Sequence, residues 1–309
     1  MERFVQPLRL QPIPYQGSKR QLAPRICNLF PRDQVETLYE PFAGSAAVTV
    51  FAAQHQLARS FVLGDVFAEL IDLWELIINR SDVVIQGYQK LWEQQFKVGS
   101  EHFNLMRDAY NADRDPVVLL YLIARCVKNA VRFNKNGDFT QSVDKRRTGV
   151  QPEKLGATIH KVSSLLRGRT TLVRGDFLSC VADAKPHDLV YMDPPYQGTT
   201  YGTDKRYVAQ LERDQLVDGL GWLNSRDIPF ILSYDGTTGQ KVYADPLPAD
   251  LSIIRLSIHA GRSSQATLAG RNEDTIESLY ISDNLALSCN ALPDYSLPTK
   301  RRPDLFAAA

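Results

Sequence analysis

The tetrapeptide Asp193-Pro194-Pro195-Tyr196 has the residue types best suited to chemistry in this chain. It follows the apolar run 189–192, which predicts a buried strand ended by two prolines. Proline has no N–H, so this backbone offers carbonyl acceptors, and the Asp193 carboxylate with the Pro194 carbonyl can accept both hydrogens of an amino group. The Tyr196 ring adds a stacking surface. The tetrapeptide therefore indicates a pocket for a nucleobase with an exocyclic amine, whereas the alternative is an ordinary Pro-Pro turn.

A second segment predicts a ligand site at the same edge of a sheet. Residues 38–48 have the pattern of a strand, a tight turn with Gly44 and the first turn of a helix, whose N–H groups a ligand can approach closely. Asp65 ends another predicted strand 21 residues after Gly44. An acid at this spacing can accept from both hydroxyls of a ribose. The alternative is a plain strand-to-helix turn with Asp65 as a helix cap.

The segment 14–22 near the amino terminus combines an aromatic ring, a glycine and basic residues. It suits a loop in which Tyr15 covers an adenosine-like ligand, Lys19 meets the carboxylate of that ligand and Ser18 caps a helix. The alternative is a capped surface helix with Lys19 and Arg20 in solvent.

Five motifs, taken in order, resemble those of the S-adenosylmethionine-dependent DNA adenine N6-methyltransferases of the Dam type, the D12 class. They are Tyr15-Gln16-Gly17-Ser18-Lys19, Glu40-Pro41-Phe42-Ala43-Gly44-Ser45, Gly64-Asp65, Gly175-Asp176-Phe177 and Asp193-Pro194-Pro195-Tyr196. In the Dam-like, or alpha, arrangement the cofactor motifs come first, the recognition insert follows, and the catalytic tetrapeptide comes last. The resemblance covers about residues 12–283.

The resemblance implies a role for each motif. The catalytic residues would be Asp193, Pro194, Pro195 and Tyr196, which hold a flipped adenine of double-stranded DNA by its amino group for direct methyl transfer to N6. S-adenosylmethionine is the implied cofactor, Asp176 would accept from its adenine amino group, and no metal is expected. The implied cofactor-binding residues are Tyr15, Lys19, Glu40, Pro41, Phe42, Gly44, Asp65, Asp176 and Phe177.

The implied fold is α/β, a Rossmann-like class I methyltransferase sheet with helices on both faces. Hydrophobic patterns predict strands around residues 36–40, 61–65, 171–173, 189–192, 230–233, 253–258 and 276–281. Between them the pattern is helical, with helices predicted at 70–78, 83–96, 103–110, 117–131 and 152–166. Such a run inside an α/β chain indicates an inserted lobe. We therefore predict a catalytic domain at 1–66 and 168–290, a helical target-recognition insert at 67–167 and a flexible tail at 291–309.

The net charge of +1 is small, but basic residues cluster in the predicted insert. Residues 125–154 contain eight Lys and Arg against three Asp and Glu. A local basic stretch on a near-neutral protein is typical of phosphate binding, and the alternative is a solvated helix face.

Residues 125–139 resemble the recognition region of the Dam family, where a helix end and a following hairpin enter the major groove. Asn129 can pair with an adenine edge and Arg132 with guanine, and Asn136-Gly137 predicts a hairpin turn. Lys128 stands where Dam enzymes carry an aromatic wedge. The predicted DNA-binding residues are Arg125, Lys128, Asn129, Arg132, Asn134, Lys135, Lys145, Arg146 and Arg147, the last three as phosphate contacts. Loops at 233–236 and 261–265 are expected to line the target-base pocket, and the loop 198–205 is expected to order over a substrate. The alternative for all three is an ordinary exposed connection.

Composition and residue spacing argue against a membrane-spanning or secreted protein, a zinc protein and a disulfide-linked protein. No stretch approaches 18 uninterrupted apolar residues, and the first residues lack a signal-peptide profile, so we expect a soluble cytoplasmic protein of a bacterium, archaeon or phage, monomeric on DNA. The five histidines are isolated, and the four cysteines show no CxxC spacing, so neither a zinc site nor a disulfide framework is predicted.

Several related activities remain alternatives. Cytosine N4 methyltransferases use the same amine chemistry, although they more often have Ser in place of Asp193. Methylation of RNA or of a glutamine amide is a further alternative, and the latter prefers Asn at that position. A non-catalytic DNA-binding partner is disfavoured because every cofactor and catalytic position is filled. A restriction endonuclease of the same system is a candidate partner.

Overall fold

The computed structural model describes residues 4, 6–31, 33–195, 211–238, 241–242, 247–248, 250–262 and 274–289. Tyr196, the loop 198–205, residues 263–265 and the predicted tail 291–309 lie outside these ranges.

A single mixed sheet forms the centre of the described chain. Its strands are β1 (Val35–Glu40), β2 (Ala58–Asp65), β3 (Thr170–Arg174), β4 (Leu189–Met192), β5 (Phe230–Thr238), β6 (Lys241–Val242), β7 (Ile253–Arg262) and β8 (Asp274–Ser282). Their order is β3-β2-β1-β4-β5-β8-β7, with β6 paired to β5. The first five are parallel, whereas β8 runs antiparallel to β5 and β7. The chain order reverses between β1 and β4, so a crevice opens at their carboxyl ends, the position where open α/β sheets bind ligands.

The helices are α1 (Ala23–Asn28), α2 (Ala47–Gln54), α3 (Ala68–Asn79), α4 (Ser81–Val98), α5 (His102–Asp113), α6 (Pro116–Arg125), α7 (Pro152–Leu166), α8 (Phe177–Val181), α9 (Arg213–Ser225) and α10 (Asp283–Ser288). Short 3-10 helices lie at Lys19–Gln21, Gly99–Glu101 and Val127–Asn129. None of the helices in the described ranges is long and apolar enough to cross a membrane.

The prediction of helices on both faces is confirmed. Neighbouring residues of β1 point to opposite faces: Leu38 joins the core formed with α1, α2, α3 and α7, whereas Tyr39 joins a second core with α8 and α9. Both are nearly inaccessible to solvent. Strands buried on both faces explain why the sequence shows continuous apolar runs here instead of alternation.

The helical insert shares its core with the sheet. Trp74 of α3 and Ile159 of α7 belong to the same buried cluster as Leu38 and Phe61 of the strands, and α3 contacts β2 and β3. The division at residues 67–167 stays a prediction, and no separate core marks that boundary among the described residues.

Three predicted segments differ in the structure. Gly261 and Arg262, expected in the loop 261–265, are the last two residues of β7. The helix predicted over 117–131 ends at Arg125, because Cys126 is extended and pairs with Val143. Residues 233–236, expected as a loop, lie inside β5, since pairing with β8 continues past a bulge between Ser233 and Gly236.

Candidate active site

One cavity at the carboxyl ends of β1 and β4 brings the predicted motifs together. The predicted catalytic and cofactor residues that line it are Tyr15, Lys19, Glu40, Phe42, Gly44, Asp65, Asp176, Phe177, Asp193, Pro194 and Pro195. Pro41 is buried but does not line the cavity, and Tyr196 lies outside the described residues. Five further lining residues belong to the quoted motifs but were given no binding role: Gln16, Gly17, Ser18, Ala43 and Ser45. The lining residues outside the motifs are Ala47, Val66, Phe67, Phe133, Leu211 and Gln215.

The turn between β1 and α2 forms the floor of the cavity. Gly44 and Ala46 adopt left-handed backbone conformations, with φ of 46° and 45°. For a residue with a Cβ this conformation costs roughly 1–2 kcal/mol, so the surrounding contacts must stabilise Ala46. The Gly44 N–H donates to Asp65 Oδ2 at 3.1 Å, and the Trp74 indole donates to the Gly44 carbonyl at 3.0 Å. These two hydrogen bonds fix the backbone conformation of the turn that lines the cavity.

Asp65 lies at the end of β2 and faces the same cavity. Its Oδ1 accepts the Phe67 N–H at 3.0 Å, and the N-cap residue of α3 is Phe67, not Asp65. Burial raises the pKa of Asp65 to about 6, although these backbone N–H groups oppose the shift. Gly64 is required beside it, because a Cβ there would lie 2.5 Å from Cys180 Sγ. The carboxylate is thus fixed in place with ligand-accepting capacity remaining.

Two aromatic rings form the apolar wall of the cavity. Phe42 and Phe177 stack with their centroids 5.9 Å apart. On α9, Gly219 leaves room for this arrangement, because a Cβ there would lie 2.2 Å from the Phe177 ring. Asp176 precedes that ring and accepts the Ser179 N–H at 2.7 Å, which lowers the pKa of Asp176 and caps α8. A flat apolar group fits beside these rings, with a charged acceptor at its edge.

A buried ion cluster surrounds the predicted catalytic acid. Lys19 Nζ lies 2.9 Å from Asp193 Oδ1 and 3.5 Å from Glu277 Oε2. The side chains of Lys19, Asp193 and Glu277 are 8%, 21% and 18% exposed. Burial raises the pKa of Asp193, while the Lys19 ammonium opposes that shift. The solvated Lys19 of the alternative interpretation is therefore wrong, and the predicted contact of Lys19 with a cofactor carboxylate stays a prediction.

Glu277 belongs to no motif that sequence reasoning used. It lies within β8, far along the chain from Lys19 and Asp193, and reaches the cluster because β8 pairs beside β5. Its only signal in the sequence is an acid that follows Ile276 within the predicted strand 276–281.

Glu40 contributes a buried carboxyl group to the cavity. Burial raises the pKa of Glu40 to about 8, although Oε2 accepts the Thr49 N–H at 2.9 Å. At pH 7 this group is therefore mostly protonated and can donate a hydrogen bond.

Ser18 does not cap a helix as predicted. It precedes the 3-10 helix Lys19–Gln21 without a side-chain cap bond, and its Oγ instead accepts from Ser45 Oγ at 2.8 Å. The segment 15–19 is thereby tied to the start of α2.

The predicted hairpin turn at Asn136-Gly137 is present. Phe133 and Phe139 pair across it, and the Asn134 N–H donates to the Asp138 carbonyl at 3.0 Å. Gly137 has the positive φ of 82° that the turn requires. Residues 133–139 are called the 133–139 hairpin below.

The predicted DNA-binding residues fall into two groups. Lys128, Lys135, Lys145, Arg146 and Arg147 are exposed. Arg125, Asn129, Arg132 and Asn134 are partly buried. Exposed cations suit phosphate contacts, as predicted for Lys145, Arg146 and Arg147. Arg146 and Arg147 also bond to Asp144, at 3.4 and 2.9 Å.

Two of the partly buried side chains already bond within the protein. The Asn129 amide nitrogen donates to the Ile123 carbonyl at 2.8 Å, which closes the end of α6, and its oxygen accepts from Arg147 at 3.4 Å. Asn134 Oδ1 accepts the N–H groups of Asn136 and Asp138 at 2.8 and 3.0 Å. Reading a base edge with either amide would require breaking these bonds, so in this conformation both side chains shape the backbone.

Among the described residues, no group of three or more His, Cys, Asp or Glu side chains could hold a metal ion.

Comparison with known proteins places this cavity in a family. The chain is 26% identical over 231 residues to the Type II methyltransferase M.FokI of Planomicrobium okeanokoites, covering 72% of this chain and 35% of that protein. It is 26% identical over 165 residues to the DNA adenine methylase of Serratia marcescens, covering 52% and 58%. It is 27% identical over 213 residues to the retron Ec67 DNA adenine methylase of Escherichia coli, covering 65% and 69%. The chain thus spans about a third to two thirds of these relatives.

The family match covers most of the chain and contains all five motifs. It extends over residues 15–257 and bears the description D12 class N6 adenine-specific DNA methyltransferase. Together with the cavity at the ends of β1 and β4, this match shows that the chain belongs to the D12 class of N6 adenine-specific DNA methyltransferases.

Proposed function

We propose that this chain transfers a methyl group from S-adenosylmethionine to the N6 atom of an adenine flipped out of double-stranded DNA. The observation that carries the proposal is the position of Asp193, which lies at the end of β4 in the same cavity as Asp65 and the Phe42–Phe177 rings. An acceptor for an exocyclic amine thus adjoins an acceptor for ribose hydroxyls and an apolar wall. The names of the relatives support this activity.

For each chemical part of the cofactor, the cavity has a lining residue that could bind it. Asp65 would accept from the ribose hydroxyls, and Asp176 from the adenine amino group. The rings of Phe42 and Phe177 would contact the adenine, and the carboxyl of Glu40 lies in the same cavity for the amino-acid end. When bound, the cofactor supplies an electrophilic methyl group on a sulfonium. Its adenine, ribose and amino-acid parts therefore each have a residue of suitable chemistry.

Asp193 and the Pro194 carbonyl perform the acceptor role in the proposed mechanism. Together they accept the two hydrogens of the adenine amino group, which turns the nitrogen lone pair away from the ring system and toward the methyl group. The Asp193 carboxylate also stabilises positive charge as it develops on that nitrogen. Lys19 holds the carboxylate in position at 2.9 Å. Positioning and electrostatics carry the rate. The methyl–sulfur bond would break as the nitrogen–methyl bond forms, a neutral thioether would be left as the leaving group, and the extra proton on the nitrogen would pass to solvent water.

A direct product assay tests this proposal. The purified chain is incubated with isotope-labelled S-adenosylmethionine and duplex DNA, and the nucleosides are then separated by mass spectrometry. Labelled N6-methyladenine is the expected product. Label found only in N4-methylcytosine, only in RNA supplied as a competitor, or only in protein would overturn the adenine assignment.

Replacing Asp65 by Ala should weaken cofactor binding by about 10- to 100-fold, because two ribose hydroxyls lose a shared charged acceptor worth about 1.5–3 kcal/mol. Calorimetry of cofactor binding without DNA measures the change. Asp72→Ala provides a matched control, since this acid lies in α3 on the surface and does not line the cavity. An Asp65 variant that binds the cofactor like its Asp72 counterpart would show that the carboxylate serves only the backbone of the turn.

We propose that DNA lies across the exposed basic residues 128–147, near the 133–139 hairpin. Lys145 and Arg146 are exposed cations, and Arg146 is 84% exposed. Arg132 leads into the hairpin and is half-buried, which suits a base-reading side chain held in a defined direction.

Arg132 and Lys145 should affect DNA binding in different ways. Arg132→Ala should weaken binding to the preferred site by about 1–3 kcal/mol and relax discrimination at one base pair. Lys145→Ala should weaken binding to all sequences alike and reduce the salt dependence by about one unit of slope. A binding survey over single-base variants at two salt concentrations separates the two effects. If both variants lower binding uniformly, Arg132 reads no base.

We further propose a bacterial, archaeal or phage cytoplasmic setting, a monomer on DNA and a cognate restriction endonuclease as partner. The similarity to a Type II methyltransferase supports the partner, and the bacterial sources of the relatives support the location.

A further inference from the structure

Phe133 connects the cofactor cavity with the 133–139 hairpin. It is the residue of the 125–139 region that lines the cavity, and its side chain is 7% exposed. The ring packs edge-on against Phe67, with centroids 5.1 Å apart. Phe67 also lines the cavity, and its N–H is the donor to Asp65. Phe133, the first residue of the hairpin, therefore packs against Phe67, whose backbone N–H binds Asp65, the residue proposed to hold the ribose.

The rest of the hairpin is fastened to α5. The Phe139 N–H donates to Asn111 Oδ1 at 2.7 Å, and the Asn111 amide returns a bond to the Phe139 carbonyl at 3.2 Å. Arg114 donates to the Gly137 carbonyl at 2.7 Å. Phe139 also packs edge-on against Phe133 at 6.0 Å but does not line the cavity. The two rings of one hairpin thus differ in whether they can touch a ligand.

A second connection joins the cavity to the same region. The Gln16 N–H donates to the Asn129 carbonyl at 3.0 Å, and Gln16 belongs to the lining segment that also contains Tyr15. The backbone preceding the hairpin is therefore bonded to one wall of the cavity while Phe133 forms part of another.

We propose that Phe133 is a cofactor-binding residue supplied by the 133–139 hairpin, so that cofactor binding and DNA binding strengthen each other through its ring. This rests on the proposed function for the identity of both ligands. A ligand that contacts Phe133 and Phe67 buries more of their surface and restricts the hairpin to one position relative to α3. DNA that contacts the hairpin restricts Phe133 in turn. Because coupling between two sites is reciprocal, each ligand must raise the affinity for the other by the same factor.

Two matched variants test the proposal. Phe133→Leu removes the ring that faces the cavity, and Phe139→Leu removes a ring of the same hairpin that does not. Calorimetry measures affinity for S-adenosylmethionine without DNA, and DNA affinity is measured with and without S-adenosylhomocysteine, which cannot react. We expect Phe133→Leu to weaken cofactor binding about 3- to 10-fold, the range typical of a lost aromatic contact. It should also reduce the cofactor's enhancement of DNA binding, expected to be about 5-fold or more in the unaltered protein.

Phe139→Leu should retain the cofactor affinity of the unaltered protein and its coupling factor. Cofactor affinity that is unchanged in Phe133→Leu, or equally reduced in both variants, would overturn the proposal, because the ring at the cavity would then contribute nothing specific.

A measurement on the unaltered protein makes the test independent of variant folding. Cofactor should slow hydrogen exchange at the Asn134 and Phe139 amides, which are bonded across the hairpin and to Asn111. Unchanged exchange at both amides would overturn the coupling. Failure of the unaltered protein to bind S-adenosylmethionine at all would refute the proposed function itself, whereas normal binding in Phe133→Leu would refute only the role of this residue.

Discussion

Asp193→Asn is expected to lower methyl-transfer turnover by at least about 100-fold, the usual loss when a group that stabilises developing charge is removed. The amide has the shape of the carboxylate but carries no negative charge, and its NH₂ group cannot accept a hydrogen from adenine. Cofactor affinity should change only a few-fold, because Asp65, Asp176 and the aromatic wall are unaltered.

Single-turnover kinetics on duplex DNA, with calorimetry of cofactor binding, check this expectation. Glu277→Gln is the matched comparison, because it removes a charge from the same Lys19 cluster without touching the proposed amine acceptor. It should reduce turnover less than Asp193→Asn does. Near-normal turnover in Asp193→Asn would show that this carboxylate is not the acceptor for the adenine amine.

Lys19→Met is expected to have the largest effect on stability. It leaves Asp193 and Glu277 close together without their shared cation, and removing one partner of a buried ion pair costs about 3–5 kcal/mol. The loss should depend on pH. Burial already raises the pKa of Asp193 and Lys19 opposes this, so without Lys19 the pKa rises further. When the pKa of a carboxyl is higher in the folded state than in the unfolded state, the contribution of that group to folding stability is full at low pH. That contribution is lost as the pH increases through the folded-state pKa.

Urea unfolding at pH 5 and pH 8 measures this effect. The difference between Lys19→Met and the unaltered protein should be small at the lower pH and large at the higher one. Arg20→Met, in the same 3-10 helix, controls for loss of a basic side chain that does not join the cluster. Equal losses at both pH values would mean that packing of the lysine stem, and not its charge, stabilises the fold.

Local patterns were sufficient to predict seven of the eight described strands and the helices α2 to α7. Strand β6 and the helices α1, α8, α9 and α10 were not predicted. Apolar runs such as 189–192 and helical spacing such as 152–166 correspond closely to β4 and α7. The end of α6 was missed because it depends on Cys126 pairing with Val143, a residue distant in sequence. The bulged end of β5 was missed because small and polar residues at 233–236 resemble a turn, whereas pairing with β8 keeps them in the sheet.

The residues of the candidate site also divide into those that local patterns predict and those that depend on distant segments of the chain. Residues of the five motifs were predicted because each lies just after a strand or at a helix start, where local chemistry is readable. Lys19 beside Asp193, Glu277 beside Lys19, and Phe133 in the cavity all depend on which distant segments the fold brings together. Asn129 was assigned to base reading from its residue type, and its bonds to the end of α6 depend on backbone geometry that the sequence does not display.

The position of the Phe177 ring in the cavity depends on Gly219 of α9, a residue that does not itself line the cavity. The Phe177 ring occupies the volume that a side chain at Gly219 would need, so the ring can keep this position only while residue 219 has no side chain. Any added methyl group at this position must displace the ring. Shortening Phe177, conversely, would open space in front of the glycine. The shape of the aromatic wall is therefore set by the pair Gly219 and Phe177, of which only Phe177 lines the cavity.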